Sequence, residues 1–171
     1  MYQGYNMYNP CSGYDAYYKN NYRAEEKKLT NDEIITLNEA IELIKKSVGN
    51  EKEDEIFYNK LLEEAPTEKE KHIIRSIRDD EIKHNKLLKD LYKYLTNREL
   101  VAENMSNIQE EEGTYLEKLE KALMGELNAV TKYRKIMGAM PDDESYTTIM
   151  AIMTDELRHA NKYNYLIHKA G

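Results

Sequence analysis

A carboxylate and an imidazole stand three residues apart twice in this chain, in two matching runs. Residues 80–84, DEIKH, return 75 residues later as residues 155–159, DELRH. Residues three apart lie on one face of a helix, so each copy would present a Glu and a His side by side. Carboxylate and imidazole ligands without thiolates favour iron, manganese or zinc. The repeated pair predicts a metal site that includes Glu81, His84, Glu156 and His159.

The same offset of 75 aligns further residues without a gap, which indicates an internal repeat. Tyr58 falls on Tyr133, and Glu51 falls on Glu126. A single Glu-x-x-His is more often a solvated surface pair, but the second copy stands at an offset that these other matches fix independently. We therefore interpret the chain as two copies of one helical hairpin and add Glu51 and Glu126 to the predicted ligands.

Length, charge and cysteine content exclude several classes of protein. A chain of 171 residues suits one domain, and a formal net charge of -7 without a long basic block gives a nucleic-acid partner little support. The only cysteine, Cys11, excludes an intramolecular disulfide and any Cys-x-x-Cys metal site. We find neither a membrane span nor a secretory signal, so we expect a cytoplasmic protein.

The first 29 residues differ in composition from the rest. Seven of the fifteen tyrosines fall within the first 23 residues, among Asn, Gly, Ser and Pro. This composition buries too little aliphatic surface to fold by itself, so we predict a mobile, low-complexity tail at residues 1–29 and a helical domain at residues 30–171. The tail is either a passive extension or an adhesive arm for self-association, as in a coat or shell layer.

Four helices are predicted after the tail, each with one apolar face that carries polar residues in its middle or is continued by them. Capping patterns place helix starts near Thr30, Thr67 and Ser106, with Asp142 as the cap of the last helix. Pro66 ends the first helix. The predicted inward faces are Leu37, Ile41, Ile44, Val48, Glu51, Glu55, Tyr58 and Leu62; Ile74, Ile77, Glu81, His84, Leu88, Leu91 and Leu95; Leu116, Leu119, Leu123, Glu126, Val130, Tyr133 and Met137; and Ile149, Ile152, Glu156, His159, Tyr163 and Leu166.

These helices would bring the polar residues to one level. Glu51 and Glu81 each stand roughly 20 Å from the first hairpin turn at ~1.5 Å per residue, and Glu126 and Glu156 repeat this in the second hairpin. The connection at residues 96–105 reaches at most ~36 Å, about the length of a 24-residue helix, so the turns can lie at opposite ends. Four carboxylates and two imidazoles would then meet near the middle of a four-helix bundle.

Burial of these groups without cations would cost several kcal/mol each. Two metal ions that share bridging carboxylates would neutralise them best. Iron is the expected metal, with manganese or zinc as alternatives. Asp54 and Glu55 lie about one turn beyond Glu51 and could replace or supplement it.

This ligand set resembles that of the ferritin-like carboxylate-bridged dimetal proteins, above all rubrerythrins and bacterioferritins. Residues 125–133 are similar to the first metal-binding helix of rubrerythrins, where a tyrosine two turns beyond the Glu lies against the site. The resemblance implies that Tyr58 and Tyr133 are hydrogen-bond donors beside the ligands and that Asp80 and Asp155 orient the imidazoles. The alternative is a structural role for the tyrosines and a surface position for the aspartates.

Two departures from the rubrerythrin pattern are visible. Rubrerythrins usually add a seventh carboxylate one turn past a helix Glu, but Ala129 follows Glu126 at that spacing, whereas Asp54 follows Glu51. Their ligand exchange is therefore not expected to carry over. They also commonly contain a rubredoxin domain, which this chain lacks, so a separate redox donor protein would have to supply electrons.

The resemblance implies a non-haem di-iron oxidoreductase active in oxidative stress, which reduces peroxide or dioxygen. Alternatives are Fe(II) oxidation for iron handling, a dimanganese catalase-like reaction, and a structural coat protein whose metal holds the core together. We lean towards an enzyme, and we expect a homodimer without nucleic-acid or membrane partners.

Overall fold

The structure, a computed structural model, describes residues 34–48, 51–100 and 113–170, apart from the side chains of residues 51–55. These ranges contain five α-helices and no strand. The all-α prediction is confirmed, whereas the predicted tail at residues 1–29 lies outside the described residues. The helices are α1 (Leu37–Val48), α2 (Glu51–Glu64), α3 (Glu68–Thr96), α4 (Tyr115–Gly138) and α5 (Asp143–Ala170).

Two helices begin at the predicted caps. The Thr67 side chain accepts a hydrogen bond of 3.2 Å from the Glu70 backbone N–H, just after Pro66. Asp142 Oδ1 accepts one of 2.9 Å from the Ser145 backbone N–H at the start of α5. Each bond satisfies a backbone donor that has no partner within the helix.

The starts of α1 and α4 differ from the prediction. Residues 34–36 are not helical, so a helix running on from Thr30 is wrong there; Thr36 exchanges hydrogen bonds of 2.8 and 3.3 Å with Glu39 at the start of α1. Thr114 forms a capping box with Glu117, after Gly113 at φ 122°. Thr30 and Ser106 lie outside the described residues. The Thr-x-x-Glu pattern recurs in this sequence, and local pattern alone did not select the copy that caps these helices.

The helices pack around one another in a cycle. α1 and α2 both contact α3 and α4, and α5 contacts α3 and α4 as well. The Tyr94 hydroxyl at the end of α3 donates a hydrogen bond of 3.1 Å to Asp142 in the α4–α5 turn. Lys118 near the start of α4 pairs with Glu64 at the α2–α3 turn. The two turns therefore lie at opposite ends of the helices.

Two groups of buried side chains flank the middle of the helices. The α1 cluster comprises Ala40, Ile44, Val48, Leu88, Leu91, Tyr133, Ile136, Ile149 and Ile152. The α2 cluster comprises Tyr58, Leu61, Ala65, Ile74, Ile77, Leu119, Tyr163 and Leu166. Each large buried side chain contributes roughly 1.5–3 kcal/mol, so the two clusters together hold the helices rigidly around the level between them.

Most of the predicted inward faces are buried. Every residue of the predicted α5 face is buried, but Leu37 is 36% exposed and Leu61, rather than Leu62, is fully buried in α2. The residue that α2 buries follows from its packing on α3 and α4, which an extrapolated 3.6-residue period does not specify. None of the described helices is long and apolar enough to cross a membrane.

Candidate metal centre

Five of the predicted ligands meet between the two apolar clusters. One ligand-type atom from each of Glu81, Glu126, Glu156 and His159 lies within 4.8 Å of the others. His84 joins them, because its Nδ1 is 3.3 Å from Glu156 Oε1 and 3.5 Å from Glu81 Oε1. We call these five residues the ligand cluster. Helix α3 supplies Glu81 and His84, α4 supplies Glu126, and α5 supplies Glu156 and His159.

Both imidazoles present the same nitrogen to these carboxylates. His159 Nδ1 is 3.0 Å from Glu81 Oε1, 3.7 Å from Glu126 Oε2 and 3.9 Å from Glu156 Oε2. The two ring centroids are 5.7 Å apart. His159 is 0% exposed and Glu156 is 2% exposed, so water has little access to this part of the cluster.

The other ring nitrogens are held by aspartates in a crossed arrangement. His84 Nε2 on α3 is 3.1 Å from Asp155 Oδ2 on α5, and His159 Nε2 on α5 is 3.3 Å from Asp80 Oδ2 on α3. A carboxylate bound to Nε2 favours a proton there and turns Nδ1 towards a metal. Asp80 and Asp155 thus occupy positions from which they orient the imidazoles.

Two basic residues that the sequence analysis did not single out hold these aspartates. Arg158 Nη2 lies 2.8 Å from Asp80 Oδ2 and 2.9 Å from Asp155 Oδ1, and Lys83 Nζ lies 3.1 Å from Asp80 Oδ1. Burial alone would raise the pKa of Asp80, but its bonds to Lys83, His159 and Arg158 hold that pKa well below its usual range. The signal was in the sequence, because a basic residue precedes the His in both copies of the repeat.

The cluster contains polar atoms that the protein itself does not satisfy. Glu81 Oε1, His84 Nδ1 and His159 Nδ1 are buried, and none makes a hydrogen bond of good geometry although ion-pair distances are short. Unpaired buried polar atoms are costly, and a cation placed among them would use all three. The donor set of oxygens and imidazole nitrogens fits such an ion. This buried group of Glu and His residues can therefore hold a metal ion.

Without a cation, protons balance the charge of the cluster. Burial raises the pKa of Glu126 to about 9. Burial alone would lower the pKa of each imidazole, but bonds to the carboxylates, Glu156 and Glu81 for His84 and Glu126 and Glu81 for His159, raise it to about 10 and about 9. The pKa of Glu81 would be raised by burial, but His159 and His84 lower it to about 2. Metal binding must consequently displace protons from this site.

Three buried tyrosines lie near the ligand cluster. Burial raises the pKa of both predicted tyrosines; Tyr163, Glu81 and Glu126 raise that of Tyr58 further, whereas Ser47 counteracts the rise in Tyr133. The sequence analysis took Tyr163 as a core residue without a part in the site. It is 0% exposed, and its hydroxyl has no hydrogen bond of good geometry, although the Tyr58 side chain acts on it electrostatically.

The remaining predicted carboxylates are not placed by the structure. Glu51, Asp54 and Glu55 belong to the first turn and a half of α2, and their side chains lie outside the described residues. Helix α2 contacts both α3 and α4, which carry Glu81 and Glu126.

Comparison of the chain with protein-family models, with curated proteins and with solved structures gives no significant match.

Proposed function

We propose that this protein is a ferritin-like four-helix bundle of two repeated hairpins, in which α1 and α2 together form one of the four rods. The cyclic packing of the helices supports this, because α1 and α2 share the same two neighbours, α3 and α4. The positions of the two hairpin turns at opposite ends support it as well. The antiparallel hairpins then bring the two DExxH copies face to face.

The bundle binds two metal ions, and iron is the metal that we propose. The single observation that carries this proposal is the convergence of two imidazole Nδ1 atoms and three carboxylates in one buried space. The ligands are the five residues of the ligand cluster, and Glu51 is the sixth. Two divalent ions would replace the protons that the metal-free cluster holds and would satisfy its unpaired atoms.

The protein reduces peroxide or dioxygen, in the manner of the rubrerythrins that it resembles. A reduced metal pair supplies two electrons, and reduction of one hydrogen peroxide by two electrons and two protons yields two water molecules. The chain's own residues hold the metals, keep bulk water out, and fix the imidazoles through Asp80 and Asp155. A separate donor returns the electrons, because Cys11 alone cannot form a second redox centre.

A peroxide titration tests this function. Protein reconstituted anaerobically with Fe(II) should consume about one peroxide per metal pair in a burst, and sustained turnover should require an added reductase or rubredoxin-like protein. Glu126→Gln should lose the burst, whereas Glu120→Gln, on an exposed position of the same helix, should keep it.

Three results would replace this proposal with another one. Sustained Fe(II) oxidation by dioxygen with release of Fe(III) would indicate iron handling. Rapid peroxide loss without a donor would indicate a catalase-like reaction and manganese. Metal-loaded protein with no burst at all would indicate that the metal serves the fold alone.

A further inference from the structure

Buried polar atoms without a partner continue beyond the ligand cluster on one side only. Within the described ranges these are the Tyr163 hydroxyl, the Tyr115 hydroxyl and Glu70 Oε2; the one other is Asn85 Oδ1, directly after His84. Tyr163 belongs to the α2 cluster, and Tyr115 packs against it. The α1 cluster, on the other side of the ligands, is aliphatic apart from Tyr133.

These atoms lie at successive levels between the ligand cluster and one end of the helices. Tyr163 follows His159 by one turn, ~6 Å along α5. Tyr115 on α4 precedes Glu126, and Glu70 on α3 precedes Glu81, each by ~16 Å of helix. Glu70 therefore stands close to the α2–α3 turn.

Electrostatic interactions link these levels. The Tyr163 hydroxyl is influenced by Glu126 and Tyr58 near the ligands and by Tyr115 towards the end of the helices. Tyr115, in turn, is influenced by Glu70 and Glu64. The polar groups thus form a connected series and not isolated defects in the core.

The series reaches solvent at the α2–α3 turn. Glu70 is 8% exposed and Lys118 is 4% exposed, and Lys118 pairs with Glu64, whose side chain is 31% exposed. Glu64 is therefore the member of this group from which water can reach the buried ones.

The repeat shows that the core does not require the Tyr163 hydroxyl. The offset of 75 places Tyr163 on Leu88, an almost fully buried aliphatic side chain of the α1 cluster. A hydroxyl without a partner is unfavourable in such a position, whereas internal water, which typically makes about three hydrogen bonds, would satisfy it. Tyr115 and Glu70 Oε2 present the same need along the same side.

We propose that Tyr163, Tyr115 and Glu70 hold a file of internal water molecules that connects the ligand cluster to solvent at Glu64 and carries protons into and out of the cluster. The file exists whether or not metal is bound. Its use in turnover rests on the proposed function, since each peroxide reduced consumes two protons. It would also carry away the protons that metal binding displaces.

Proton exchange of the histidine rings in metal-free, full-length protein tests the file. Ring N–H exchange with solvent can be followed by NMR on protein labelled with ¹⁵N-histidine. The exposed His72 and His168 provide reference rings in the same spectrum. Tyr163→Phe removes only the hydroxyl, and Glu70→Gln keeps the backbone N–H that Thr67 binds.

Both variants should slow exchange of the His159 ring about tenfold, the factor expected from the loss of one hydrogen bond along the path. Tyr92→Phe, a partly buried tyrosine beside the α1 cluster, should leave the rate unchanged. Wild-type rates in both Tyr163→Phe and Glu70→Gln would overturn the proposal, and so would equal slowing in Tyr92→Phe. Because no metal is added, failure of the proposed enzymatic function would not alter this result.

Discussion

His84 and Asp155 lie on different helices, and their contact of 3.1 Å between Nε2 and Oδ2 is matched by the contact of His159 with Asp80 in the opposite direction. Each copy of the repeat thus orients the imidazole of the other copy. The two halves of the site are coupled, because a shift of α3 against α5 would disturb both imidazoles.

Asp155→Asn should weaken metal binding without changing the number of ions bound. The amide keeps the shape but loses the charge, and loss of such a partner typically costs about 10–100-fold in metal affinity. Competition titration with a chromophoric chelator measures the change. Asp90→Asn, on an exposed position of α3, serves as the control and should bind like wild type. Wild-type affinity in Asp155→Asn would show that the contact does not position His84.

Glu81→Ala and Glu156→Ala should each lower the metal content of purified protein below about two ions per chain. Glu81 is close to both imidazoles, and Glu156 lies between them and Glu126. Elemental analysis after anaerobic loading gives the stoichiometry. Glu120→Ala provides the matched surface control. Unchanged content in both cluster variants would remove the ligand assignment.

The metal-free protein should lose stability as the pH rises from about 6 to about 9. The pKa values of His84, His159 and Glu126 are raised in the folded state, to about 10, about 9 and about 9. Raised values mean that the folded state holds protons that the unfolded chain has released, so this stabilisation is complete below the unfolded pKa values and is lost towards the folded ones. Glu81 acts oppositely, because its pKa is lowered to about 2 and its contribution is lost as the pH falls below its ordinary value of 4.5.

Denaturant unfolding at several pH values, with and without metal, measures this dependence. Bound metal should reduce the loss above neutral pH, because it replaces the protons. Constant or rising stability of the metal-free protein towards pH 9 would contradict the charge balance derived for the cluster.

Leu119→Ala should destabilise the fold by about 2–5 kcal/mol, the range for a large aliphatic side chain removed from a packed core. Leu119 is 0% exposed and belongs to the α2 cluster. Leu127→Ala, on the same helix but 41% exposed, should cost much less. Equilibrium unfolding of the metal-free variants compares the two. Similar small losses would mean that the α2 cluster packs loosely.

The sequence alone predicted those features that depend on local geometry. A Glu and a His three apart face the same way on any helix, so the DExxH pair was visible before any packing was known. The cap at Thr67 and the turn at Pro66 follow from backbone chemistry in the same way. The repeat added the expectation that two such pairs would meet.

Tertiary structure decided what depends on the register between helices. Which aspartate holds which imidazole follows from the height at which α3 and α5 pass each other, and neither helix contains that information by itself. The same holds for Lys118, whose buried ion pair with Glu64 exists only because α4 begins beside the α2–α3 turn. Tyr163 and Leu88 occupy equivalent positions of the repeat, and only packing shows that the hydroxyl of one lies buried without a partner. Side-chain spacing along one helix is local, whereas these contacts join helices that are distant in sequence.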